Sequence, residues 1–241
     1  MHKKIHQGSS KTLYRSDEDR MLEMSFNDNL RISNNSFIEI PGKGIINNAI
    51  SSYIMKKLDL IGVHNHFVKK ANMRRQIVEF ADVYPIQVHI ASVACGRYVT
   101  DLKMEEGYVF EQPIIDFRFK GKNLSYPIVN ETQIISLCWL NEEELKRVKI
   151  QAINIYSFLA GLFSTIQVRL IDAKLEFGYV FNGEEFVIML VDEISPDTCR
   201  LWDMESNQKL SYEIAQDDPE KIMPAYQELY RRLIPKSSIV E

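Results

Sequence analysis

The chain has 241 residues, 45% hydrophobic and 26% charged, with only 10 glycines and 8 prolines, which is the composition of an ordered globular protein large enough for one big domain or two small ones. Its formal net charge of −4 provides no general attraction for nucleic acid or an anionic membrane, so basic residues must act locally. Cys95, Cys138 and Cys199 are widely spaced with no CxxC pair, arguing against a disulfide framework or a thiolate zinc centre, and no stretch reads as a leader or membrane span, so a cytoplasmic protein without a nucleic-acid or membrane partner is expected.

Strand character in 11–15, 21–26 and 36–40, separated by polar clusters, predicts a small antiparallel sheet at the N-terminus. Ile46, Ile50, Tyr53, Ile54, Leu58 and Ile61 recur at helical spacing and predict a helix over 45–61, stopped by Gly62. Strands are expected at 63–68, 76–80 and 84–93, the last opening around Pro85, and a lobe boundary is placed near 82–86. This divides the chain into a β-rich lobe, 1–83, and a larger α+β lobe, 84–241. Asn141 followed by three glutamates caps a helix over 141–166 that carries Leu145, Val148, Ala152, Ile155, Leu159 and Phe163 along one stripe. Two strands flank Asn182-Gly183, a dipeptide suited to a type I′ turn, and a final helix over 219–233 opens on proline, with Pro224 as its break or its true start.

The chemistry gathers around that hairpin. Asp172, Lys174 and Glu176 alternate with Ala173, Leu175 and Phe177, so one strand face is ionic and the other apolar. Asp192 and Glu193 end the return strand, with Asp197 and Arg200 in the following loop. Carboxylates gathered on neighbouring strands repel unless a cation neutralises them, which points to a metal and nucleotide site. An ideal two-residue turn would, however, place Asp192 opposite Ala173 and aim it away from Glu176. Gly8-Ser9-Ser10-Lys11 precedes a strand rather than a helix, so it is no Walker loop, although it suits a phosphate-covering hairpin. His64 and His66 share a strand face but lack a third ligand and carry no assignment.

These residues and their surroundings resemble the SAICAR synthetase family. The resemblance runs almost end to end through KGIINNAISSYIMKKL at 43–58, GVHNHF at 62–67, MEEG at 104–107, VNE at 129–131, DAKLEFG at 172–178 and DEISPDTCRLWD at 192–203. It implies an α+β fold with a small N-terminal antiparallel-sheet ATP-binding lobe followed by a larger α+β lobe. It also implies an ATP- and magnesium-dependent ligase that joins L-aspartate to the carboxylate of carboxyaminoimidazole ribonucleotide in purine biosynthesis, working as a homodimer. By motif, Glu176 and Asp192 would hold the metal, while Gly8, Lys11, Lys120 and Glu176 would face the nucleotide. Lys174, Asp197 and Arg200 would serve the reacting groups, and Asp172, Arg97 and Arg200 the substrate.

The sequence also departs from the family pattern. Ser9 stands where the glycine loop has its first lysine, Ala91 where a strand has an arginine, Arg97 where a serine is usual and Tyr126 where an aspartate precedes proline. Glu79 and Phe80 replace mostly charged residues. Arg97 is expected to restore part of the charge missing at Ala91. Two other readings remain open: a ligase that activates a different carboxylate, and a nucleotide-binding descendant without turnover.

Overall fold

The computed structural model describes residues 3–32, 36–121 and 126–235. Strands β1 (Lys4–Gln7), β2 (Lys11–Arg15) and β3 (Met21–Phe26) form consecutive hairpins, and β4 (Asn29–Arg31) pairs with β5 (Phe37–Glu39). After helix α1 (Lys43–Leu60), β6 (Phe67–Lys70) and β7 (Arg75–Glu79) complete a five-stranded antiparallel sheet in the order β1-β2-β3-β7-β6. The expected N-terminal antiparallel sheet is therefore present, with β1 as an additional edge strand, but the strand expected at 36–40 is β5, which pairs with β4 outside this sheet. The segment before β6 is not a strand of this sheet. Instead, 64–66 runs beside the second sheet, with an isolated parallel bridge from Asn65 to Leu190.

The second sheet contains β8 (Asp82–Val93), β9 (Val109–Phe119), β10 (Ile128–Val129), β11 (Val168–Phe181) and β12 (Phe186–Val191) in the order β10-β9-β8-β11-β12, and β13 (Cys199–Asp203) pairs with β11. Short helices α2 (Arg97–Thr100) and α3 (Glu131–Ser136) sit in the connections. Helix α4 (Glu142–Ser164) covers the apolar face of this sheet through the predicted stripe. Asn141 accepts from the Glu144 amide while the Glu144 side chain accepts from the Asn141 amide, so two orphan donors are satisfied reciprocally at its start. A short 3₁₀ turn at Pro219–Lys221 leads into α5 (Ile222–Leu233), and Pro224 lies within the first turn of α5 rather than breaking it.

Helix α1 is buried on nearly every side, including the polar Lys43, Asn47, Asn48, Ser51 and Ser52. It packs against β3, β6 and β7 of the first sheet, and its apolar positions join the main core with α4 and α5. Part of this buried polar set is satisfied internally, while the Asn47 side chain has no hydrogen-bond partner among the described residues. Asn48 donates to the Asn72 and Met73 carbonyls at 3.0 Å, and Ser51 accepts from the Ile194 amide at 3.3 Å. At its N-terminus Asp28 accepts from the Gly42 and Gly44 amides and pairs with both terminal nitrogens of Arg74, at 2.7 and 2.9 Å. α1 thus joins the two lobes and leads to the acidic loop after β12.

Candidate active site

The β11–β12 connection differs from the expected two-residue turn. Asn182 accepts from the Glu184 and Glu185 amides, both at 2.9 Å, and its own amide donates to the Glu185 carbonyl, which makes a four-residue loop with Gly183 at φ +105°. The register therefore sets Val191 opposite Glu176. Asp192 then leaves the strand with φ +68°. His66, buried, sits 2.8 Å from the Asp192 carbonyl through Nε2, which fixes the point of departure. Burial drops the His66 pKa to about 4, so the ring is neutral and Nε2–H donates.

Around this bend the two lobes meet through charge. Lys11, from the hairpin after Gly8, pairs with Asp192 and lies 2.8 Å from Glu193, while Ser10 donates to Glu193 at 3.1 Å. Lys120, just past β9, pairs with Glu176, whose other oxygen accepts from Gln87 at 3.2 Å. Burial and the neighbouring Asp192 charge push the Glu176 carboxyl upward. Burial opposes ionisation of Asp192 as well, but the charge and hydrogen bond of Lys11 carry it below the usual range. Glu193 Oε2 is buried without a partner. The acidic end is thus a set of oxygen donors neutralised by two lysines from different parts of the chain.

The rest of the site is a grid on one face of the second sheet. Residues paired across strands share a face, and the registers define three rows: Arg118, Gln87 and Glu176; Asp116, His89 and Lys174; Ile114, Ala91, Asp172 and Arg200. Along each strand successive rows are about 7 Å apart. The opposite face, with Val88, Ile90, Phe117, Ala173 and Leu175, belongs to the core.

In the far row Arg200 pairs with Asp172 and places Nε 3.1 Å from Glu213, which also accepts from Trp202 at 2.7 Å. Gly96, at φ +55°, lets the chain lie against this guanidinium, since a Cβ there would meet Arg200 Nη2 at 2.9 Å. His89 Nε2 is 3.1 Å from Asp172, and Asp116 is held by Arg97 at 2.6 Å and the Tyr98 hydroxyl at 2.7 Å. Burial works against ionisation of Asp172, yet Arg200 and His89 keep it well below the usual carboxylate range. Ala91 packs with Ala94 and Tyr98, so an aromatic ring lies beside this small residue.

Lys174 stands apart. Its ammonium lies 3.9 Å from the centre of the Tyr212 ring, and no carboxylate among the described residues pairs with it. Burial, with added repulsion from Arg200 and Arg118, lowers its pKa to about 8 despite Asp172. Asp197 is engaged on both oxygens, by the fully buried Lys43 of α1 and by the Tyr226 hydroxyl of α5 at 2.7 Å, so it anchors the loop that leads to Arg200.

Gly8, Lys11, Lys120, Glu176 and Asp192 therefore gather at one end, while Arg97, Asp172, Lys174 and Arg200 line the grid, with Asp197 behind its loop. Lys43, His66, Gln87, His89, Asp116, Arg118, Tyr212 and Glu213 carry no sequence assignment. For Gln87, His89, Asp116 and Arg118 the signal is the polar alternation Gln87-x-His89 and Asp116-x-Arg118-x-Lys120, the same period that marks Asp172, Lys174 and Glu176.

Comparison with known proteins bears directly on this arrangement. The model of the SAICAR synthetase family matches residues 4–233. A phosphoribosylaminoimidazole-succinocarboxamide synthase of Rickettsia massiliae is 52% identical over 233 residues, covering 97% of this chain and 99% of the relative. The crystal structure of the synthase of the same name from Ehrlichia chaffeensis superposes with a TM-score of 0.93 at 36% identity, over 97% of this chain and all of that one (100%). A SAICAR synthetase in complex with ADP superposes at 0.89 and 32% identity, over 95% and 96% of the two chains. With the family model matching residues 4–233 and a relative 52% identical along 97% of the chain, this chain belongs to the SAICAR synthetase family.

Proposed function

We propose that this protein is an ATP-dependent ligase of purine biosynthesis that joins L-aspartate to the carboxylate of carboxyaminoimidazole ribonucleotide, releasing SAICAR, ADP and phosphate. The observation that carries the reading is the seam at which Lys11 and Lys120 meet Asp192, Glu193 and Glu176 beside a cation-bearing grid. The ADP bound by a relative of the same fold supports a nucleotide at that seam.

A carboxylate is a poor acyl donor. One of its oxygens attacks the γ-phosphorus, the bond to the ADP oxygen breaks, and ADP leaves with the electron pair. The aspartate amine then attacks the acyl carbon and loses a proton, and phosphate departs with the former carboxylate oxygen. The chain's task is to position anions and neutralise charge. Lys11, at the turn of the β1–β2 hairpin, and Lys120 serve the phosphates. The grid holds the acid, with Lys174 toward the reacting carboxylate and Arg200 and Arg97, set by Asp172 and Asp116, toward its far end. Asp197 anchors the loop before β13, the strand that carries Arg200 rather than the loop expected for it.

Magnesium fits the acidic end. Glu176 and Asp192 offer hard oxygens, Glu193 Oε2 is buried without a partner, and no group of three or more acidic, histidine or cysteine ligands occurs among the described residues. Mg²⁺ commonly takes one or two carboxylates and completes its shell with phosphate oxygens and water. When bound it would neutralise triphosphate charge. Cytoplasmic residence and a homodimer complete the proposal, and light scattering of the purified protein tests the latter. No helix among the described residues is long and apolar enough to cross a membrane. The deciding assay supplies carboxyaminoimidazole ribonucleotide, L-aspartate and Mg-ATP to the purified protein. Equimolar SAICAR and ADP are expected, and their absence with ATP intact would overturn the reading.

A further inference from the structure

The arginines of the grid are not equivalent. Arg97 has Asp116, and Arg200 has Asp172 and Glu213. The Arg118 side chain makes no ion pair or hydrogen bond among the described residues, and its Nε is buried without an acceptor. A guanidinium in that state lacks a partner that its five donors are shaped to hold, an oxyanion above all. On the adjacent row of the same sheet face stands Lys174, which also has no carboxylate partner among the described residues.

The register places this pair. Arg118 shares a row with Gln87 and Glu176, next to the acidic end, and Lys174 occupies the adjacent row. Arg200 and Ala91 lie in the row beyond, about 14 Å from Glu176 along β11. An acid whose carboxylate reacts with a phosphoryl group near Glu176 must present that carboxylate to the first two rows and its other end to the third. Within the grid, the two cations without a carboxylate partner among the described residues therefore occupy the two rows nearest Glu176.

We propose that Arg118 and Lys174 together form a cationic clamp on the carboxylate activated by ATP, with Arg118 a substrate-contacting residue that stabilises the acyl oxygens as they take on phosphoryl charge. This rests on the ligase reading. Arg118 moves no proton; it holds the oxygen that attacks phosphorus and then leaves with phosphate. A group in this position acts on turnover more than on nucleotide affinity.

The test is a steady-state comparison of wild type with Arg118→Met, Arg118→Gln and Arg118→Lys, with melting temperatures measured alongside. Removing the charge is expected to lower kcat by about 10–100-fold, the range for loss of one donor aimed at developing charge. KM for Mg-ATP should stay within about twofold, and lysine should recover part of the loss. The glutamine variant keeps the measurement available should methionine fail to fold. An active wild type with either neutral variant folded and within about twofold of its kcat would overturn the clamp alone. A wild type that makes no SAICAR would instead overturn the ligase reading and the clamp with it.

Discussion

At Asp192 the backbone turns out of β12 with φ +68°, a region that aspartate tolerates better than most residues but that still needs holding. The hydrogen bond from His66 to its carbonyl and the Lys11 ion pair supply that hold. Asp192→Asn is expected to reduce turnover by about two orders of magnitude or more through lost metal and phosphate organisation. Glu193 still pairs with Lys11, so the melting temperature should change little. A variant retaining a tenth of wild-type turnover would contradict the role given to this carboxylate. Lys174 gives the opposite pattern. Its surroundings disfavour the charged ammonium, so Lys174→Met is expected to abolish turnover while raising the melting temperature by about 2–4 °C per kcal/mol relieved. Calorimetry showing a lower melting temperature would mean that the contact with Tyr212 outweighs the cost of burial.

Among the elements, α1 has the most to organise, because Asp28 and Arg74 tie its N-terminus to the ends of β3 and β7 while its apolar positions join the main core with α4 and α5. Burial alone would raise the Asp28 pKa, but hydrogen bonds from Arg74 and from the Gly44 and Gly42 amides lower it to about 2. A carboxyl depressed on folding stabilises the fold above its unfolded pKa, near 4, and loses that contribution as pH falls through the folded value. Melting temperature should therefore decline between about pH 4 and 2, and Asp28→Asn should flatten this part of the profile while lowering stability at pH 7. An unchanged acid limb in the variant would assign it to other carboxylates.

The same elements show what the residues reveal by themselves. The capping box at Asn141 and the stripe of α4 depend on local spacing and were legible. So was the ionic face of β11, because strand alternation is local. Asn182-Gly183 misled because the asparagine side chain takes two backbone amides and lengthens the loop, and this moves Asp192 relative to Glu176. The buried polar face of α1 and the grid residues of β8 and β9 acquire their meaning from strand pairing, which no single segment encodes. Part of the site could be read from motifs, whereas its neutralising partners required the three-dimensional register.

Across the whole molecule, the two lobes meet where Lys11 and Ser10 of the first sheet reach the acids that end β12. Lys11 and Lys120 already neutralise these acids, so magnesium alone gains little there, while a nucleotide can draw the lysines to its phosphates and release the carboxylates. Thermal unfolding should therefore shift little with Mg²⁺ alone and clearly with Mg-ADP. At about one hundred times Kd the stabilisation should approach about 2.7 kcal/mol. An equal shift from the metal without nucleotide would indicate a preformed cation site and contradict the competition described.

If ATP activates a carboxylate at this seam, one carboxylate oxygen must leave with phosphate, and oxygen tracing reads that transfer. Carboxyaminoimidazole ribonucleotide labelled with ¹⁸O in its carboxylate is turned over with L-aspartate and Mg-ATP, and the phosphate released is analysed by mass. Transfer of one labelled oxygen to phosphate for each amide formed is the predicted result. Unlabelled phosphate accompanying SAICAR would contradict it, because the carboxylate oxygen would then never have joined the phosphoryl group.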